Sequence, residues 1–91
     1  MPMLLGHNKV RITETFGPTH PRSPAFDWRY GIRAKSAFTG QAADGVPVTV
    51  DISGQLPEQR ATDQTGWLYV DYFEGESVRL TIHNLYDGSQ I

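Results

Sequence analysis

Cysteine is absent from this chain. Disulfides and thiolate metal sites are therefore excluded, whatever compartment the protein occupies. No apolar run approaches the ~20 residues that a membrane-spanning helix needs. Met1-Pro-Met-Leu-Leu is apolar, but it lacks the charged flank and the length of a secretory leader. The expectation is no membrane insertion, and export only as part of a larger chain or by a route without a cleaved signal. A sustained 3.6-residue rhythm is also missing, so helix is expected to be near nil. Nor is there a surplus of positive charge. Eight Lys and Arg stand against ten Asp and Glu, for a net charge of −2, and the two signs are interspersed. With no basic stripe, nucleic acid is not an expected partner.

What remains is a chain of 91 residues, enough for one domain. A chain of that size buries only ~60–65% of the surface its unfolded form exposes, which leaves one thin core. Residues 1–8 read as a flexible N-terminal arm, and 9–91 as a single β-sandwich domain.

The dominant pattern has a period of two, which puts successive side chains on opposite faces of a strand. Val46, Val48, Val50 and Ile52 alternate with Pro47, Thr49 and Asp51. Pro47 has no N–H, so it belongs at the strand's start or on an open edge. Val78, Leu80 and Ile82 alternate with Arg79, Thr81 and His83. Between these two runs, Asp63-Gln-Thr-Gly signals a turn, in which Asp63 bonds forward to backbone and Gly66 supplies a positive φ. Gly66 to Phe73 is then a strand, and the polar stretch Glu58 to Thr62 reads as an edge strand.

The N-terminal half is less regular. Lys9 to Phe16 has Val10, Ile12 and Phe16 on one side and Arg11, Thr13 and Thr15 on the other. Glu14 falls on the apolar side, which points to a bulge or an edge position. Phe26 to Phe38 is the longest strand candidate. Phe26, Trp28, Tyr30, Ile32 and Ala34 form one face, with Trp28 and Tyr30 expected in the core. Asp27, Arg29, Arg33 and Lys35 form the other, a solvated row answered by acids on neighbouring strands. Pro18, Pro21 and Pro24 recur every third residue, the polyproline II period. The expectation is a stiff crossing from one sheet to the other. A ligand for an SH3-type domain would need a cation at a set offset, and Arg22 sits directly beside Pro21.

Chemistry is hard to find. No Gly-x-Ser-x-Gly elbow is present, and no nucleophile–base pair can be named, so the chain is not expected to be an enzyme. His7, His20 and His83 lie far apart with no ligand spacing. Asp71, Glu74 and Glu76 cluster at a hairpin tip but lack the ordered oxygen spacing of a calcium loop. They read as a solvated turn, and no cofactor or metal is expected. The glycines punctuate hairpins rather than opening a helix, which removes phosphate cradling.

One surface signal stands out. From Gly66 to Phe73 both phases are apolar, with Leu68 and Val70 on one and Trp67, Tyr69 and Phe73 on the other. Only one phase can face a two-sheet core. Asp71 shares the phase of Trp67 and Tyr69, which turns that phase outward. Trp67 and Tyr69 would then stand on an open sheet face, with Arg79, Thr81 or His83 beside them on a neighbouring strand. Aromatic residues with Arg are what protein interfaces favour. The structural alternative is that a loop or tail covers the two rings.

Ala43-Asp-Gly-Val-Pro-Val-Thr-Val, Ala61-Thr-Asp-Gln-Thr-Gly-Trp-Leu-Tyr-Val and Glu76-Ser-Val-Arg-Leu-Thr-Ile together resemble a repeat of known modules. It is that of bacterial Ig-like and transthyretin-like (carboxypeptidase-regulatory-like) domains. The likeness covers about Tyr30 to Ile82, and residues 1–29 fall outside it. It implies a non-catalytic spacer, adhesion or docking module, including modules appended to secretion spikes and phage tails. The expectation is thus an all-β, antiparallel two-sheet sandwich of about seven strands. Its function would be protein binding or structure in a larger bacterial or phage assembly, through Trp67, Tyr69, Arg79 and His83. Alternatives are a surface-protein spacer or adhesion module and a carbohydrate-binding module. An uncovered edge strand would also be open to pairing with a second copy.

Overall fold

The computed structural model describes residues 9–21 and 25–83. Those residues contain six strands and no helix: β1 (Val10–Thr19), β2 (Trp28–Ser36), β3 (Pro47–Ile52), β4 (Glu58–Ala61), β5 (Trp67–Tyr72) and β6 (Val78–Ile82). They form two antiparallel three-stranded sheets, ordered β1-β2-β5 (sheet A) and β4-β3-β6 (sheet B). The protein is therefore all-β with the layout of a β-sandwich, with six strands among the described residues where about seven were expected. The arm at 1–8, Arg22, Pro24 and the tail after His83 lie outside the described residues.

The two-residue rhythm sets the core. Ile32 of β2 and Leu68 and Val70 of β5 are buried with Val48 and Val50 of β3. Val10, Ala34, Ala43 and Val46 continue the layer toward one end. Full burial of one Val, Leu or Ile side chain stabilises by about 1.5–3 kcal/mol, and seven of these nine residues are of that kind. Thr62 is the one buried polar residue among those described, and its hydroxyl is satisfied twice. It accepts from Val46 N at 3.0 Å and donates to the Ala43 carbonyl at 2.6 Å, tying the end of β4 to the start of β3.

Several local readings hold. Pro47 opens β3, and β4 is a short edge strand. Asp63 Oδ1 accepts from Thr65 N at 2.8 Å and Trp67 N at 3.1 Å, and Gly66 sits at φ +83°. A Cβ on Gly66 would lie 2.5 Å from the Ala34 carbonyl, so this turn demands glycine on two counts. The register of β1 against β2 shifts between Ile12 and Glu14, where the stray carboxylate foretold a bulge.

Three readings are corrected. The bulge reverses the phase of β1, so Phe16 points out rather than joining Val10 and Ile12. The Pro-rich segment does not cross between sheets. β1 runs on to Thr19 and pairs with β2, so the connection stays within sheet A. Trp28 is half-buried at the periphery, where it stacks on His20 at 4.5 Å and donates its indole N–H to Glu74. An indole that must satisfy its N–H with an exposed carboxylate is held at the rim. Tyr30 packs against the core as expected, though only half-buried.

Candidate aromatic and cationic face

Sheet A has an outer face built by register. Pairing sets Arg33 opposite Trp67, Gly31 opposite Tyr69, and Arg29 opposite Asp71. On the other side of β2, Glu14 pairs with Arg33 and Phe16 with Gly31. Leu68 and Val70, the alternate residues of β5, are 3% and 2% exposed, whereas Tyr69 is 37% exposed. The outward assignment of Trp67 and Tyr69 therefore holds.

Gly31 organises this face. A Cβ there would stand 2.6 Å from Tyr69 Cδ1, so the missing side chain is the space into which Tyr69 leans across β2. An aromatic ring covering a strand glycine replaces packing that the glycine cannot supply. From the far strand Phe16 meets Tyr69 edge-on, centroids 5.9 Å apart and planes at 90°. Trp67 and Tyr69 stack on each other at 5.5 Å with planes 8° apart.

Two guanidiniums close the stack. Arg33 Cζ lies 5.9 Å from the Trp67 ring centroid and Arg29 Cζ 5.5 Å from that of Tyr69. Arg33 also donates to the Thr65 carbonyl at 3.0 Å, ahead of Trp67, while Arg29 is paired with Asp71, beyond Tyr69. The order along the sheet is thus Arg33, Trp67, Tyr69, Arg29. Each ring has one face on its neighbour and the other toward a cation, an arrangement worth about 0.5–1 kcal/mol per cation at exposed sites.

The cations are answered as the sequence foretold. Arg29 holds Asp71 with two bonds, 2.7 and 3.1 Å, and that hydrogen bonding raises the guanidinium pKa. Glu14 is shared by Arg33 at 3.1 Å and Lys35 at 3.6 Å. Arg11 sits directly opposite Lys35, so that end of the face sets two like charges side by side. The outer face thus carries Arg11, Arg29, Arg33 and Lys35 against Glu14 and Asp71. Asp63 adds a carboxylate at the rim. Its pKa is lowered, chiefly by the Thr65 hydroxyl, then by the Thr65 and Trp67 amides and by Arg33, against an opposing desolvation.

Arg79 and His83 are elsewhere. β5 and β6 are consecutive, yet β5 pairs with β2 and β6 with β3, so the turn between them crosses from one sheet to the other. Arg79, Thr81 and His83 stand on the outer face of sheet B, with the core between them and Trp67. There His83 shares a hydrogen bond with the Thr49 hydroxyl at 3.3 Å, and Arg79 lies opposite Asp51. Sequence reasoning brought together Trp67 and Tyr69 and missed Phe16, Gly31, Arg29 and Arg33. The available signal was Gly31, a lone glycine inside an otherwise clean strand.

The acidic tip is dispersed. Asp71 holds Arg29, Glu74 accepts from Trp28, and Glu76 accepts from Phe73 N at 2.7 Å and Gln55 Nε2 at 3.2 Å. No group of three metal-ligating side chains occurs among the described residues. A groove of about 470 Å³ runs between the edges of β1 and β6, lined mainly by Ile12, Tyr30, Ile32, Val78, Leu80 and Ile82. No helix of the described residues is long and apolar enough to cross a membrane. No family model, curated protein or solved structure matches this chain.

Proposed function

We propose that this protein is a non-catalytic protein-binding module of a larger assembly, and that it docks its partner on the outer face of sheet A. The observation that carries the reading is the row Arg33, Trp67, Tyr69, Arg29, flanked by Phe16, on the side of the sheet turned from the core. Aromatic side chains and Arg are the residues that concentrate binding energy at protein interfaces. Here their rotamers are already held by stacking and by Gly31, so little entropy remains to be lost on binding.

The partner chemistry follows from charge. Four cations against Glu14 and Asp71 on this face and Asp63 at its rim favour an acidic partner surface, although the whole chain is net negative. Stacking of a sugar on Trp67 is less well supported, because Tyr69 already stacks on that ring and the Arg33 guanidinium lies over it. The motif likeness over Tyr30 to Ile82, together with the two-sheet layout, favours an Ig-like or transthyretin-like family.

Selection from a displayed library of random peptides tests this reading. Enriched peptides should carry Asp or Glu and bind more weakly as salt rises. Arg33→Ala or Trp67→Ser should weaken them at least about tenfold, a loss typical of an interface hot spot. Arg79→Ala, on the opposite face, should leave binding unchanged. Peptides without acidic residues, or peptides sensitive to Arg79→Ala and not to Arg33→Ala, would overturn it.

A further inference from the structure

The two sheets present four edge strands, β1, β5, β4 and β6. An open edge displays main-chain donors and acceptors and templates pairing with another chain unless something blunts it. Three of the four are blunted. β1 is broken by two register shifts, between Ile12 and Glu14 and between Phe16 and Thr19, the second containing Pro18. On β5 three of the outward groups are taken: Trp67 N donates to Asp63 Oδ1, Trp67 O accepts from Asp63 N at 2.9 Å, and Tyr69 O accepts from Arg60 at 2.9 Å. β4 has four residues, follows Pro57 and carries Glu58 and Arg60.

β6 carries one charge, Arg79, and has no bulge, proline or bonded outward group. Its register with β3 is unbroken from Val78 to Ile82. His83 N donates to the Pro47 carbonyl at 3.0 Å, which fixes the alternation: Arg79, Thr81 and His83 bond to β3, and the main-chain groups of Val78, Leu80 and Ile82 point to the open side. Beyond them no further strand lies among the described residues.

The sequence of β6 is also self-complementary. In an antiparallel pair of two copies centred on Leu80, Leu80 meets Leu80 of the partner subunit, Val78 meets Ile82, and Arg79 meets Thr81. Those even-numbered residues are the ones whose main-chain groups are free to form the hydrogen-bonded pairs of such a ladder. Val78, Leu80 and Ile82 are only half-buried, so pairing would extend the apolar layer of sheet B from one copy into the next. No like charges fall opposite each other. A surface that matches itself under a two-fold axis is what an isologous dimer requires.

We propose that the occupant of the β6 edge is a second copy of this chain, paired antiparallel through β6 about Leu80 to make one six-stranded sheet from the two copies of sheet B. The outer face of sheet A stays free in both copies, so the dimer presents two partner-binding faces and does not depend on the binding reading above.

Sedimentation equilibrium over a wide range of protein concentration tests the proposal. The expected result is a reversible rise from 10.2 kDa to twice that mass. Thr81→Glu places a carboxylate opposite Arg79 twice per dimer and should tighten association about tenfold, while Thr81→Lys should weaken it by a similar factor. Thr81 points outward, so both variants should keep the monomer's circular dichroism. On the unaltered protein, amide exchange at Val78, Leu80 and Ile82 should slow as concentration rises. A monomer at every concentration would overturn the proposal. So would a dimer whose affinity neither charge variant moves, or one that slows exchange on β1 or β5 instead.

Discussion

The two outer faces of this sandwich rest on one shared core yet differ in kind. Sheet A turns Phe16, Trp67 and Tyr69 outward among Arg29, Arg33 and Lys35. Sheet B turns out Pro47, Thr49, Gln59, Ala61, Thr81 and His83, with Asp51 and Arg79 as its charges. Its contacts are small: Gln59 Nε2 donates to the Thr49 hydroxyl at 2.8 Å, and that hydroxyl also meets His83. Both inner faces are aliphatic at their centre, where Ile32, Leu68 and Val70 meet Val48 and Val50. Hydroxyls and β-branched residues suffice to finish the outside of a strand, as sheet B demonstrates. Three aromatic rings on the other outside exceed what the fold needs, and that excess is where binding is best sought.

The comparison is broken most forcefully at Gly31. Gly31→Val places a side chain where Tyr69 lies and should cost about 2–3 kcal/mol, an overpacking penalty, in urea unfolding. Thr49→Val, at the centre of the opposite face, should cost no more than about 1 kcal/mol, the worth of its hydroxyl bonds. Tyr69→Ala should remove most of the Gly31→Val penalty, because the ring is what the new side chain meets. Equal costs at the two positions, or no rescue, would remove Gly31 from its organising role.

A smaller effect separates the turn that feeds the aromatic row. Folding lowers the pKa of Asp63 through bonds from Thr65 and Trp67. A depressed carboxyl contributes stability above its unfolded pKa of ~3.9, and that contribution is lost as pH falls through the folded value. Asp63→Asn should therefore flatten the acid-side slope of stability below about pH 4. It should leave the slope near neutrality unchanged. An identical acid limb in the two proteins would contradict the assigned cause.

Much of this was legible because it is local. Alternation in Val46–Ile52, Trp67–Tyr72 and Val78–Ile82 fixes which side chains share a face, and Asp63 with Gly66 fixes a turn. The cation row of β2 announced its acidic partners, and Glu14 announced a bulge. Pairing is not local, and there the reading failed. Nothing in Arg79 or His83 tells which sheet receives β6, so their distance from Trp67 had to be seen. A single inserted residue in β1 reversed its phase, carrying Phe16 from the expected core to the outer row. Trp28 was misplaced for a different reason. Its size suggested core, while its N–H and its place at the first position of β2 suited the rim.

The most direct test of the division between the faces is the double variant Trp67→Ser/Tyr69→Ser, assayed for folding and for binding to the selected acidic peptides. A cooperative β-fold with a modest fall in Tm and no detectable peptide binding is the predicted result. An unfolded chain would move the two rings into the core, and a folded chain that binds as before would move the docking site to another surface.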